Sequence, residues 1–424
     1  MKVLVIGAGL AGLTVADALQ AEGAELTLLE AAEGPGLATS SRNGSLQHPS
    51  HAEPWNSPGV LTEVLRQLGD AEAALLLRPR ALPSLLGWGW QFVRHSQPQR
   101  YWDHTLANLR LAQYSVAQMA GHRQAGIDYG MRSGGSLALL RDVASRSSAL
   151  AWAERLAVHG LRWRLLEQDE LVATEPALRP VAHELVGALH HADDERGDPM
   201  AFCRALANRL AQRGAALHYG TAVAKLTVSG GRRGRVQGVV DRAGRHHATD
   251  AVVLAAASHS VVLARSAGLR LPLRPVKGYS LTLPQRENGP RLAAIDPALH
   301  MAVVPVGDDR VRVAGTAEFC GDDLTLTPAR VANLRRLLQQ LYPAYAATLQ
   351  PHEIEPWAGL RPMCADGVCL VGPTRVQGLY LHTGHGHLGW TQTPGSARLL
   401  ADQIAGRVPQ IDPRPYLPAR FGLA

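Results

Sequence analysis

The chain has 424 residues, 46% of them hydrophobic and 19% charged, with a formal charge of +7. That length exceeds one small core and predicts two closely packed domains; no apolar run approaches the roughly 20 residues that a membrane-spanning helix needs. The opening MKVLVIGAGLAG lacks the charged stretch, apolar stretch and cleavage site of a secretion signal. A cytoplasmic protein is therefore expected, with the positive charge leaving open a peripheral contact at the inner face of the cytoplasmic membrane. The only lysines are Lys2, Lys225 and Lys277, and the arginines are scattered without a nucleic-acid-binding motif, so no nucleic-acid partner is expected. Cys203, Cys320, Cys364 and Cys369 form no CxxC pair, and no HExxH occurs, which predicts reduced thiols and no metal site.

In chain order, the pattern predicts a strand (Val3–Ile6), a glycine turn, a helix (Thr14–Ala21), a strand (Glu25–Glu30) and a short helix (Leu61–Leu68). A long amphipathic stretch, Tyr101–Ala125, ends at Gly126, and Ser136–Leu140 reads as a strand. Asp198-Pro199 is a helix start, an N-cap acceptor followed by proline at the first helical position, for a helix from Met200 to about Arg213. Strands follow at Ala216–His218, Ala222–Val228, Arg235–Asp241 and Ala251–Ala256, then at Ser280–Leu283, Ala302–Val306 and Arg310–Ala314. The helix Pro328–Leu341 comes next, and the closing segment predicts two short strands and an amphipathic helix. The fold class expected is α/β: a Rossmann-like FAD-binding domain from segments 1–82, 190–270 and 351–424, and a discontinuous, mainly antiparallel α+β substrate domain from 83–189 and 271–350.

Chemistry concentrates first at the N-terminus. The strand Val3–Ile6 runs into Gly7-x-Gly9-x-x-Gly12, and Glu30 followed by Ala31 closes the next strand, the order of a dinucleotide-binding unit. Gly7 permits the tight turn, Gly9 a close approach of backbone to pyrophosphate, and Gly12 helix-on-strand packing. Amides at the helix N-terminus then face the phosphates, and Glu30 accepts from the ribose hydroxyls. Far along the chain, GLYLHTGHGHLGWTQTPGSARLLADQIAG predicts a strand (Leu379–His382), a glycine turn and a helix from near Thr391, whose N-terminus suits negative charge at the flavin's N1–C2=O edge.

Six segments together resemble the FAD-dependent D-amino-acid dehydrogenases of small-subunit type, within the D-amino-acid oxidase and glycine oxidase group. They are the opening fingerprint, LATSSRNGSLQHPSHAEPWNSPG, LRPVKGYSLTLP, RVRVAGTAEFCGDDL, WAGLRPMCADGVCLVGPT and LHTGHGHLGWTQTPGSARLLADQIA. The resemblance implies that Ser40, Ser41, Asn43 and Gly44 lie along the flavin's pyrophosphate and ring side, and that Val223 meets the adenine. It implies that Ala256 lines the strand-end segment, in which Ala257 stands where a glycine is usual, and that Gly386, Leu388, Gly389, Trp390 and Thr391 edge the isoalloxazine. Gly359 stands where related sarcosine oxidases carry the flavin-attaching cysteine, so non-covalent FAD is implied.

The same resemblance makes Arg361 the group that clamps the substrate carboxylate, a task suited to a planar guanidinium, with the Tyr279 hydroxyl as a second donor. His385 and His387 are read as positional rather than as bases, because hydride transfer from a neutral amine needs no protein base. The aromatic run Trp88, Trp90, Phe92, Tyr101 and Trp102 suits core packing or a membrane surface. The implied activity is oxidative deamination of D-amino acids to 2-oxo acids and ammonia by hydride transfer to flavin N5, with electrons passing to a quinone or another respiratory acceptor such as an electron-transfer protein. Glycine oxidase and D-hydroxyproline or opine dehydrogenase activities remain alternatives, as does a non-catalytic FAD-binding subunit.

Overall fold

The computed structural model describes residues 1–66, 73, 75–230 and 234–424. Two large sheets organise them. The first has six strands in the order Leu370–Pro373, Leu379–Thr383, Ala251–Leu254, Lys2–Ile6, Glu25–Leu29 and Ala216–His218. They run parallel except for the antiparallel edge strand Leu370–Pro373. The central strand is an unbroken apolar run because both of its faces are covered. Val3 and Val5 pack into the layer of the helices Leu10–Ala21, Pro199–Gln212 and Gly389–Ile404. Leu4 and Ile6 face the opposite layer, with Leu226, Val236, Val239 and Leu263.

The second sheet takes its strands in the order Glu355–Cys364, Leu273–Pro284, Arg310–Phe319, Met301–Val306, Ala293–Asp296, Ser136–Leu140, Gly187–His191 and Arg164–Leu166, with Leu75–Leu77 alongside Arg310–Phe319. It is mainly antiparallel; the exceptions are Ala293–Asp296 on Ser136–Leu140 and Leu75–Leu77 on Arg310–Phe319. One face rests on the helix Pro328–Leu341, where Leu334, Leu337, Leu338 and Leu341 meet Leu281, Leu283, Val303 and Val313. The other face looks toward the first sheet.

Several expected elements appear as read, including Ser136–Leu140, Ala216–His218, Arg235–Asp241 and Pro328–Leu341. Asp198 caps the helix Pro199–Gln212, accepting from Met200 N at 2.8 Å and Ala201 N at 3.2 Å; a cap of this kind contributes about 1 kcal/mol. The expected helix Leu61–Leu68 is found as Val60–Arg66, and residues 67 and 68 lie outside those described.

Other boundaries are corrected. The first helix starts at Leu10, directly after the glycine turn, and the last at Gly389. The expected strand Ser280–Leu283 is the last part of a strand from Leu273 to Pro284, and the closing segment holds a third, ten-residue strand, Glu355–Cys364. That strand lies in the second sheet, not the first, and Leu75–Leu77 also crosses over to it. Helix Pro98–Gln124, from the segment assigned to the substrate domain, packs on the first core through Ala107, Leu111 and Met119. There Gly395 brings the Gly389–Ile404 helix against Ser115, whose hydroxyl donates to Gln392 O at 3.0 Å. Periodicity announces a strand or helix but not which neighbour it joins.

Candidate active site

The N-terminal turn is shaped by its own backbone. Gly7 has φ +107° and donates its N–H to Leu29 O at 2.8 Å, and a Cβ on Gly12 would run into the Gly7 carbonyl. Gly9 is the N-cap of the first helix; no side chain caps it and no acidic residue stands in its first turn. The Leu10 amide instead donates to Ser40 Oγ at 3.0 Å. The Glu30 carboxylate folds over the turn, accepting from Ala8 N at 2.5 Å and Ala32 N at 2.8 Å. The turn 219–223 lies beside it, with Thr221 N on Glu30 O at 2.7 Å and Gly220 N on Ala32 O at 2.9 Å, so Val223 and exposed Ala31 belong to the same end of the site.

From Leu10 and Ala11 a cavity of about 1010 Å³ extends between the two sheets. Ser40, Asn43, Gly44, Gly359, Arg361, Gly386, Gly389 and Trp390 line it. Residues 39–44 are stapled to the second sheet: Thr39 Oγ1 donates to Leu360 O at 3.1 Å, and Ser280 Oγ to Arg42 O at 3.0 Å. Ser41 turns away to Ala38 O, Leu388 is buried at the N-cap of the last helix, and Thr391 Oγ1 accepts from His48 N at 3.3 Å. The strand expected to reach Ala256 ends at Leu254, and Ala256 caps the short turn that follows, just outside the lining, while Ala257, at φ +48°, reaches the cavity in a left-handed conformation. That conformation costs a residue with a side chain about 1 kcal/mol and explains the preference for glycine there.

Arg361 and Tyr279 are not brought together. In the antiparallel register Val276 lies opposite Arg361, Gly278 opposite Gly359 and Ser280 opposite Trp357, so these side chains share the cavity face. Tyr279 alternates to the other face, in the core with Leu281 and Leu334. Its hydroxyl donates to Glu318 Oε2 at 2.6 Å and lies 3.0 Å from Thr327 Oγ1. The role of carboxylate donor assigned to Tyr279 is therefore corrected to a structural one, since the hydroxyl is committed to a buried carboxylate.

Arg361 is half-buried at the cavity wall. Its one hydrogen bond is to Thr316 O at 3.4 Å, and no carboxylate among the described residues pairs with it. Its Cζ lies 5.4 Å from the Trp55 ring centroid. Burial lowers its pKa to about 10, which leaves the guanidinium charged at neutral pH.

Around it stand uncharged imidazoles. His387 stacks on Trp55 with centroids 5.2 Å apart, and burial, the Arg361 charge and His51 push it down to about 3. Burial, with neighbouring imidazoles, brings His48 to about 3, and burial brings His51 to about 4. His191, 6.1 Å from the His51 ring, is brought to about 3 by burial and then His51. His385 points inward to Ser396 Oγ at 3.0 Å, a hydroxyl it shares with His382. The family model described as DAO, FAD dependent oxidoreductase, matches residues 2–403.

The chain belongs to this family of FAD-dependent oxidoreductases.

Within it, the chain is 39% identical over 425 residues to the D-amino acid dehydrogenase of Sinorhizobium medicae, with 100% of each covered. It is 40% identical over 410 residues to that of Paramagnetospirillum magneticum, with 96% of each covered. Among solved structures, L-proline dehydrogenase from P. horikoshii superposes with a TM-score of 0.78 at 19% identity, covering 99% of this chain and 97% of that one; this likeness speaks for the fold alone. The oxidoreductase's own residues fit FAD. Two helix N-termini, at Gly9 and Leu388, carry neither a cap from the N-cap side chain nor an acidic first turn, and buried Trp390 Nε1 has no hydrogen-bond partner among the described residues.

Trp55, His387, Gly278 and Trp357 line the cavity with Arg361; Trp55 stands in an irregular segment with no period to mark it, whereas strand alternation across the ladder from Arg361 marks Gly278. Gly9→Val should purify without flavin, because the branched side chain would displace Ser40 Oγ, which lies 3.0 Å from where a Cβ would stand, and fill the approach to the pyrophosphate. Visible absorbance of the purified variant checks this; a yellow protein of native affinity would refute the fingerprint.

Proposed function

We propose that the chain oxidatively deaminates D-amino acids to 2-oxo acids and ammonia. One observation carries the substrate class: the Arg361 guanidinium borders the cavity and pairs with no carboxylate among the described residues. A buried cation of this kind lacks its counter-charge until an anion enters, and a planar fork suits a carboxylate held by two parallel hydrogen bonds. The chemistry that FAD supplies when bound is acceptance of the Cα hydrogen as hydride. The chain's own part is to orient the substrate. Arg361 holds the carboxylate, and Trp55 and Trp357 wall the cavity beside it. The D configuration follows the names of the relatives. That no acidic residue among those described pairs with Arg361 also favours a catalytic chain over a non-catalytic FAD-binding subunit, which has no use for a carboxylate clamp.

FAD is held without a covalent bond in this proposal. All four cysteines are buried free thiols, and none of them lines the cavity.

Electrons leave for a quinone or another respiratory acceptor, and the helix Leu82–Arg94 favours a membrane-surface setting. Its aromatic residues divide. Trp88 is buried, donating Nε1 to Met363 O at 3.2 Å and stacking on Phe92. Leu86 and Trp90 are 75% and 63% exposed, and with Leu82 and Val93 they form one apolar stripe. Arg94 lies over the Trp90 ring. An amphipathic helix edged by arginine suits the headgroup region of an anionic bilayer. No helix among the described residues is long and apolar enough to cross a membrane.

Arg361→Ala should lower kcat/KM for D-alanine and bulkier D-amino acids by about two orders of magnitude, the loss of a desolvated charge-assisted pair worth ~2–5 kcal/mol. Arg361→Lys should recover part of it. Steady-state turnover with an artificial acceptor measures both, and full activity in Arg361→Ala would end the carboxylate-clamp assignment. Acid precipitation should leave the flavin in the supernatant; colour retained in the pellet would show covalent attachment. Vesicles of phosphatidylglycerol and phosphatidylcholine should sediment the holoenzyme, and Leu86→Ser with Trp90→Ser should release it. Wild-type protein that stays in solution would exclude this docking face.

A further inference from the structure

Gly278 lies in the middle of the Leu273–Pro284 strand, hydrogen-bonded on both sides and opposite Gly359. A Cβ placed on it would overlap the Cζ, Nη1 and Nη2 atoms of Arg361, and these three are its nearest neighbours. The guanidinium thus lies flat across the bare backbone of Gly278, with the Trp55 ring on the same cation and His387 stacked on that ring. Unlike the glycines at turns, Gly278 does not have a positive φ, so its backbone would accept alanine. What it supplies is room.

We infer that Gly278 is a positioning residue for the substrate carboxylate: the space left by its missing side chain fixes the plane in which the Arg361 guanidinium meets substrate. This rests on the proposed role of Arg361. Two parallel hydrogen bonds need the fork and the carboxylate to be coplanar. A guanidinium pushed off Gly278 still carries its charge but presents a tilted fork, and the cost falls on substrate binding and alignment. The group that must yield is the far end of a flexible side chain, so the sheet has no reason to break.

The test is a double-mutant cycle on the holoenzyme. Gly278→Ala should raise KM for a D-amino acid by at least about tenfold, since a misplacement of about an ångström is enough for losses of that order, with kcat changed far less. The inhibition constant of a simple competing carboxylate such as benzoate, followed by the flavin spectrum, should rise in parallel. Flavin content and Tm should stay at wild-type values. In an Arg361→Lys background, where no planar group occupies the space, Gly278→Ala should change KM by less than about threefold, because the interaction it disrupts is gone.

An unchanged KM in Gly278→Ala overturns the inference. So does an equal loss in both backgrounds, which would place the effect elsewhere than on the guanidinium. Loss of flavin or of folded protein in Gly278→Ala also overturns it, since the three atoms nearest the added methyl all belong to the Arg361 guanidinium. Full activity in Arg361→Ala would remove the clamp itself; activity lost in Arg361→Ala yet intact in Gly278→Ala would remove only the role of Gly278.

Discussion

The register of the Leu273–Pro284 strand against Glu355–Cys364 sets Val276 opposite Arg361 and Gly278 opposite Gly359, and side-chain alternation along that ladder decides which groups reach the cavity. A slip of one residue would turn Arg361 into the core beneath the sheet and bring Tyr279 or Ala358 to the surface in its place. The apolar residues of the hidden face, Leu281 and Leu283 against the helix Pro328–Leu341, make such a slip costly. The packing of the second core thereby holds a cation on the far side of the sheet, and the buried contact of Tyr279 with Glu318 belongs to that anchoring.

The first sheet contributes differently. Its parallel strands end at turns and helix N-termini, and two of those helix ends, at Gly9 and Leu388, have no side-chain bond from the N-cap residue itself, the places where an extended dinucleotide would set its charged groups. The loop 39–44 is tied to the second sheet through Thr39 and Ser280 and to the first helix through Ser40, whose Oγ accepts the Leu10 amide, so the glycine turn and the strand that carries Arg361 are fixed relative to each other by backbone and short side chains. Long flexible side chains have little part in this junction.

How far the molecule was legible depended on the range of each signal. Asp198-Pro199, the run Val3–Ile6 with its glycines, and Pro328–Leu341 are local, and each stands as the residue pattern implies. Ala257, flagged because glycine is usual at its position, does adopt a positive φ. The strand Leu273–Pro284 was legible only in its last third, because Pro275, Lys277 and Gly278 interrupt the apolar alternation that marks a strand. Lys277 is nevertheless buried, held against Glu318 and Thr325 O, a long-range arrangement with no trace in neighbouring residues. Tyr279 failed as a site residue for the same reason: nearness to Arg361 across a ladder does not determine which face a side chain takes. Trp55 sits in an irregular segment, where no period points to its position over the guanidinium.

The uncharged imidazoles at the cavity carry a thermodynamic consequence. His48, His51, His191 and His387 titrate near 3 to 4 in the folded chain, against an ordinary value of 6.5. Between those values the unfolded chain binds protons that the folded chain refuses. Each of these rings therefore favours the folded state above pH 6.5 and loses that contribution as acidity rises through the window down to 3 to 4. Three of these rings, His48, His51 and His387, line the cavity, so protons taken up in that window place positive charge on its wall.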